Sequence, residues 1–299
     1  MNRMIIATLL LLVLNSCAKN KNIITSGNSI QPGTESTFDI VTWNIEQFPK
    51  NNLTVGYLAE LIDLMNVDII ALQEIASETD FNNLINKLDG WDGYRANSAS
   101  YDINLALLYS NNLEVKSIYE IFKNDRWSFP RSPLVAHIIW NEENIYIINN
   151  HFKANENDST EDEARRKSAS ENLEDYVNEY LSKKNVIVLG DLNDELNEDP
   201  SNNVFQNFIN DTLHFKFTDM DIAYGSSNYF SWPGWHQSTY NSAHFDHILI
   251  TNELFDEFEN EGSSIQTIRL EEYFDIGWTE YENYISDHRP VGLRLKFSQ

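Results

Sequence analysis

One cysteine, Cys17, occurs in 299 residues, so no intramolecular disulfide staples the fold and no thiolate cluster holds a structural zinc. The longest apolar run, residues 4–14, is eleven residues long. A membrane-spanning helix needs roughly 20. Basic residues are scarce: 21 Lys and Arg stand against 46 Asp and Glu, for a net charge of -25. That balance excludes a broad basic face that wraps nucleic acid without regard to sequence. It leaves room for a small phosphate site, or for carboxylates gathered around a divalent cation. No internal repeat and no second linker break the chain after its first 36 residues.

Hydrophobic residues make up 41% and aromatics 12%, with all seven Trp beyond position 40, which is the composition of a globular domain. Arg3 precedes the apolar run, and a small-residue exit through Asn15 and Ser16 ends at Cys17. This pattern reads as a secretory signal over residues 1–16. Its last residues resemble the lipobox of bacterial lipoproteins, which makes Cys17 the expected lipidation site. A lone Cys at the cleavage point has no disulfide partner to explain it. The resulting expectation is a protein held by lipid in the bacterial cell envelope. Residues 17–36, polar and with Gly27, Pro32 and Gly33, read as a flexible tether with a reach on the order of 25 Å. The folded domain is expected over residues 37–299.

From Phe38 onward, strand-like and helical runs alternate. Strands are predicted at 37–45, 68–75, 103–110, 134–140, 144–152, 185–194, 244–251 and 288–297, from β-branched, apolar or alternating patterns. The runs 103–110, 134–140 and 144–152 read as consecutive antiparallel strands. Helical spacing marks 53–65 and 160–181, the second opened by Ser159 and Thr160 and presenting Ala169, Leu173, Tyr176, Val177, Tyr180 and Leu181 on one face.

Polar residues of acid, base and metal-ligand type fall at or beside the ends of these strands: Asn44, Glu74, His151, Asp191 with Asn193, Asp246, and Asp287 with His288. Each alone is as well read as a turn or a solvated strand end. Six separate segments contributing at once form a constellation, because a sheet fixes geometry while its loops leave room for ligand. Arg165, Arg166 and Lys167 read as a solvated helix face, and His236, His244 and His247 as bystanders. The stretch "SWPGWHQSTY" at 231–240 reads either as an aromatic surface loop or as core.

In order along the chain, "TWNI", "LQE", "RSPLVA", "NNHFKA", "GDLND", "FDHIL" and "SDHRP" resemble the motifs of the endonuclease/exonuclease/phosphatase family, the group of DNase I, and they span residues 42 to 290. The resemblance implies an α/β (α+β) four-layered sandwich, with two mixed, mainly antiparallel sheets packed face to face and helices outside. It implies Mg²⁺, or Mn²⁺ or Ca²⁺, held by Glu74 with Asn44 and Asp287. His288 would face the phosphate with Asp246 orienting its ring. Asp191 and Asn193 would position or deprotonate water, His151 would contact a phosphoryl oxygen or act as acid, and Arg131 would clamp phosphate. Which group is the general base stays open. The implied activity is a metal-dependent phosphoesterase, foremost a monomeric endonuclease-type nuclease on nucleic acid. A phospholipid or sphingomyelin phosphodiesterase, a phosphatase, and a silent surface binding module are the competing readings.

Overall fold

The computed structural model describes residues 30, 32–156, 159–234 and 242–298. The predicted signal, Cys17 and most of the predicted tether lie outside the described residues, as does part of the 231–240 loop. Within them the packed chain already includes Ile30, which is buried, and Gly33, whose N–H donates to the Met65 carbonyl.

Among the described residues, twelve strands form two six-stranded sheets. The first sheet holds β1 (Phe38–Phe48), β2 (Ile69–Ile75), β3 (Trp91–Arg95), β4 (Asn104–Ser110), β11 (Ser264–Thr267) and β12 (Val291–Leu295), in the order β11-β12-β1-β2-β4-β3. The second holds β5 (Glu114–Glu120), β6 (Leu134–Trp140), β7 (Glu143–His151), β8 (Asn185–Asp191), β9 (Phe215–Phe217) and β10 (Asp246–Thr251), in the order β5-β6-β7-β8-β10-β9. Each sheet has one parallel pair at its centre, β1 with β2 and β7 with β8, and every other pairing is antiparallel. The parallel pairs are the physical key, because both strands of each pair end at the same edge.

Three apolar layers follow from strand alternation. Phe38, Ile40, Ile69 and Ala71 of the first sheet meet Ile145, Ile147, Ile187, Leu189, Ile248 and Ile250 of the second in a dry centre. The opposite faces are covered by helices. Helix α1 (Thr54–Met65) buries Leu58, Leu61, Ile62 and Met65 against the first sheet and stops at Asn66 in the left-handed conformation. Helix α2 (Glu78–Ile85) is capped by Ser77, whose side chain accepts from Asp80 N. Helix α3 (Ser159–Tyr180) buries Ala169, Leu173 and Val177 against the second sheet. Short helices α4 (Gln206–Asn210), α5 (Met220–Ala223), α6 (Phe255–Glu259) and α7 (Trp278–Tyr284) complete the shell. This is the expected four-layered sandwich.

Three details differ from the sequence reading. Strand β4 does not pair with β6; it lies in the other sheet, because the intervening β5, with half-exposed "EVKSIYE", is an edge strand too polar to announce itself. Tyr180 lies 62% exposed rather than on the buried face of α3. Arg166, read as solvated, is buried at the root of a loop described below.

One close approach governs the second sheet. Gly190 of β8 has φ 143°, and a Cβ built there would lie 2.0 Å from the Asn150 carbonyl oxygen of β7. Only a residue without a side chain lets the two parallel strands run this near each other.

Candidate active site

Alternation decides which side chains enter the edge of the cleft between the sheets. The inward series Phe38 and Ile40 of β1 continues as Thr42 and Asn44. On β7, Ile145 and Ile147 continue as Asn149 and His151, and on β8, Ile187 and Leu189 continue as Asp191. Strand β10 runs the other way and starts at Asp246, two residues ahead of inward Ile248. Each series is apolar in the centre and polar at one end.

Strict alternation would turn Glu74 of β2 outward. Between the pairs Leu72↔Ala106 and Ile75↔Asn104 two residues of β2 oppose one of β4, and Glu74 takes φ 64°. This bulge brings Glu74 to the cleft beside Gln73. Left-handed backbone recurs near this edge at Glu46 (φ 35°), Gln47 (φ 48°) and Asn193 (φ 53°).

The predicted residues converge. Asn44 Nδ2 donates to Asp191 Oδ2 at 2.8 Å and to Glu74 Oε1 at 3.3 Å. His151 Nε2 lies 3.5 Å from Asp191 Oδ2 and 4.0 Å from Glu74 Oε1. His288 Nε2 lies 3.9 Å from that same Asp191 oxygen, while its Nδ1 meets Asp246 Oδ2 at 2.7 Å. Both imidazoles thus address one carboxylate. Asn193 sits just behind, its N–H donating to Asp191 Oδ1 and its amide to the Phe152 carbonyl. Arg131 is within electrostatic reach of Glu74, Asp191 and His151 and makes no hydrogen bond or ion pair among the described residues.

Asp287 and His288 lie in a bend ahead of β12, not in the strand, which lets neighbouring side chains reach one pocket. Ser286 shapes that bend, donating to the Asn44 carbonyl and accepting from His288 N. Tyr281 receives the Trp43 indole N–H at 3.0 Å and donates to the His288 carbonyl. Asp287 N donates to Glu46 Oε2 at 2.9 Å, and the Trp232 indole N–H reaches Asp287 Oδ2 at 3.3 Å.

Glu46 is the site residue that the sequence reading missed. It lies two positions after Asn44, so alternation along β1 was a usable signal. Missed too were Tyr281 and Ser286, whose roles need tertiary contacts, and the buried polar floor below the site. In that floor Gln73 Nε2 donates to Thr42 Oγ1 and Asn149 Oδ1, at 3.0 and 2.8 Å.

Burial and the charge of Asp287 push Glu46 up to about 7, against the pull of Lys50. Burial likewise pushes Asp191 up to about 7, with Asp246 adding to the effect and His288 opposing it. Burial would lower His288, but Asp246 and Asp191 raise it well above the usual histidine value. Burial, then Arg131 and His288, hold His151 well below that value. One imidazole is therefore kept cationic and the other neutral.

A carboxylate raised by a neighbouring carboxylate, as Glu46 is by Asp287, marks a place where positive charge is wanted. Asn44, Glu46, Glu74 and Asp287 offer only oxygen donors, which suits a hard divalent cation. Asp191, Asp246 and His288 are a second trio with ligand atoms within 4.8 Å of one another. There, however, Asp246 Oδ2 is already committed to His288 Nδ1.

A separate Asp–His cluster lies on the other face of β10. His247 Nε2 donates to the Asp194 carbonyl at 2.9 Å and its Nδ1 meets Asp219 Oδ2 at 2.6 Å. His244 accepts Ser231 N–H on Nδ1 and meets Asp219 Oδ2 through Nε2 at 3.0 Å. Asp219 Oδ1 accepts Ile248 N–H. Every ligand atom is taken, so this is a hydrogen-bonded knot behind the site. Nearby, Arg166 donates to Asp194 Oδ2 at 2.7 Å and to the Lys153 carbonyl at 2.9 Å, tying the loops after β7 and β8 together.

Comparison with known proteins agrees with this geometry. The profile of the Endonuclease/Exonuclease/phosphatase family matches residues 41–288. Among solved structures, D. rerio TDP2 complexed with single-strand DNA product is similar at TM-score 0.66 and 15% identity, covering 88% of this chain and 100% of that one. The human Nocturnin catalytic domain with bound sulfate gives TM-score 0.61 and 18% identity over 91% of this chain and 97% of its own. The Bacteroides thetaiotaomicron mannosyl-6-phosphatase Bt3783 gives 0.60 and 11% over 87% and 100%. These likenesses show the fold. No curated protein matches in sequence.

Proposed function

We propose, on the premise that the chain belongs to the endonuclease/exonuclease/phosphatase family and is a metal-dependent phosphoesterase, that its reaction is hydrolysis of phosphodiester bonds in nucleic acid. One observation carries the reading: His151 and His288 point their Nε2 atoms at one Asp191 oxygen while the unpaired Arg131 faces the same group. That arrangement is a slot for a tetrahedral anion. D. rerio TDP2, similar in fold, is seen with a single-strand DNA product, which favours nucleic acid as substrate.

In this reading Arg131 presents its planar fork of donors to the phosphoryl oxygens. His288, whose cationic form the charges of Asp246 and Asp191 favour, points a charged Nε2–H at the oxygen on which negative charge grows. Asp191, with a pKa near neutrality, is poised to orient the attacking water and take its proton. Asn193 holds the Asp191 carboxylate from behind. His151, neutral, contacts the leaving side. Glu74, Asn44, Asp287 and Glu46 would hold Mg²⁺, which neutralises phosphoryl charge when bound.

We extend the proposal to lipid attachment at Cys17 and residence in the bacterial envelope, supported by the lipobox-like exit of the signal. That location also favours a second reading, a phospholipid diesterase. The test is turnover of DNA, RNA, sphingomyelin and bis(p-nitrophenyl) phosphate by the purified protein under one Mg²⁺ condition and in excess EDTA. DNA or RNA cleavage that EDTA abolishes is the expected result. Equal rates in EDTA overturn the metal site, and sphingomyelin as sole substrate overturns the nuclease.

A further inference from the structure

Eight arginines lie among the described residues, and in this acidic protein five of them, Arg95, Arg166, Arg269, Arg289 and Arg294, sit within 4.0 Å of a carboxylate. The three without such a partner among the described residues are Arg126, Arg131 and Arg165. They are not scattered. Arg131 faces the active site, and Arg165 Nε donates to the Trp127 carbonyl at 2.6 Å while its other arm reaches the Arg126 carbonyl. Arg126 in turn donates to the Ser98 carbonyl. In a chain with 46 carboxylates, these three make no ion pair within 4.0 Å among the described residues, although Asp162 acts on Arg165, and Glu74, Asp191 and Glu156 on Arg131, at longer range.

The corner stands at the edge where the site lies. Residues 121–133 lead into β6, whose first residue Leu134 pairs with Asn149, two positions before His151. Ser98 belongs to the connection into β4, whose Asn104 pairs with Ile75 beside Glu74. Trp127 is 47% exposed and Tyr101, in that same connection, is 90% exposed. The loop beneath Trp127 is braced: Phe122 and Phe129 stack at 4.8 Å, Ser128 Oγ meets Ser168 Oγ at 3.0 Å, and Asp125 takes the Asn172 amide of α3. Asp162, one turn ahead of Arg165, is occupied by Lys153 and the Glu156 N–H. The cations are thus held outward on a rigid frame, with an aromatic face among them.

We propose that Arg126, Trp127 and Arg165 form a second anion subsite, taking a neighbouring phosphate and base of a single-stranded nucleic acid whose scissile phosphate lies between Arg131 and the two histidines. The inference rests on the nuclease reading and adds where the rest of the strand runs. Arg126 and Arg131 are five positions apart, a span of at most about 17 Å, within reach of a few nucleotides. The guanidinium groups take the phosphate, and Trp127 stacks on a base, a contact worth about 1–3 kcal/mol that any base can make. No covalent step is added.

The test compares a short single-stranded oligonucleotide with bis(p-nitrophenyl) phosphate, which has one phosphate and cannot reach the corner, in the wild type, Arg126→Gln/Trp127→Ala and Arg165→Gln. Expected is a fall of about tenfold or more in the oligonucleotide-to-small-ester ratio of kcat/KM in the double variant. The plot of log kcat/KM against log salt should also flatten by about 0.7 for each lost phosphate contact. A ratio and slope equal to wild type, with the oligonucleotide still cut, overturn the subsite and leave the nuclease intact. A wild type that turns over the small ester but not the oligonucleotide overturns the nuclease reading and the subsite together. Selective loss on sphingomyelin vesicles instead assigns the corner to a headgroup and overturns the proposal.

Discussion

Two Asp–His clusters lie back to back across β10, on side chains adjacent in sequence: Asp246 faces the cleft between the sheets and His247 faces the helices. Both are buried, and both join aspartate to imidazole. In the knot around Asp219 every nitrogen and oxygen has a protein partner, with His247 and His244 overcoming burial to hold Asp219 well below the usual carboxylate range. In the cleft, His151 Nδ1 and Asp246 Oδ1 are buried without a partner among the described residues, and Arg131 is unpaired. The same residue types therefore serve two ends. A saturated cluster stores stability, and an unsaturated one stores affinity for something else.

The contrast is broken most severely by His288→Ala. A loss of about 10²–10⁴-fold in kcat/KM is expected, with the melting temperature near that of the wild type. A variant that melts early but keeps its rate would move His288 from chemistry to packing. The mirror experiment is Asp219→Asn, which removes the carboxylate charge that the buried rings of His247 and His244 face. A loss of about 3–5 kcal/mol in unfolding free energy is expected by denaturant titration, an upper range for removing one member of a buried pair. Because the native pKa of Asp219 is depressed, its contribution is present above about pH 4, the unfolded value, and fades as acid protonates it below that. The gap between wild type and Asp219→Asn should close over that acid range; a constant gap would show that the carboxylate charge is irrelevant.

Smaller is the effect of Mg²⁺ on stability. Saturating the oxygen cluster to about 100 times its dissociation constant should add about 2.7 kcal/mol to unfolding, and Glu74→Gln should abolish that increment while Asp219→Asn retains it. Equal increments in both variants would place the ion elsewhere. The smallest expected change is Glu46→Gln in metal-free protein, a gain of about 1 kcal/mol or less from relieving its repulsion with the Asp287 carboxylate, read as a rise in melting temperature.

Much of this was legible before any coordinates. Asn44, His151 and Asp191 were picked from their place at strand ends, and the structure shows why they share a cleft: the inward period of the central strands continues into them. The two-sheet architecture followed from the motif order. Glu74 was named for its motif and lies beside Asn44 and His151, but its direction depends on a bulge that sequence does not display. Arg166 was misread as surface because a charged residue on a helix flanked by acids looks solvated until the loop that covers it is known. Edge strands β3 and β5, half-exposed on both faces, carried too little pattern to be seen. Glu46 was readable and overlooked.

Gly190 leaves one more thing to draw out. The distance separating the imidazole of His151 from the carboxylate of Asp191 is not set by either side chain but by how tightly their backbones nest, and the nesting tolerates no methyl group at position 190. The spacing of this pair is set by an atom that is missing. A Gly190→Ala chain would be wedged open at the seam that brings His151 and Asp191 within 3.5 Å of each other, so a position outside the proposed chemistry sets their gauge.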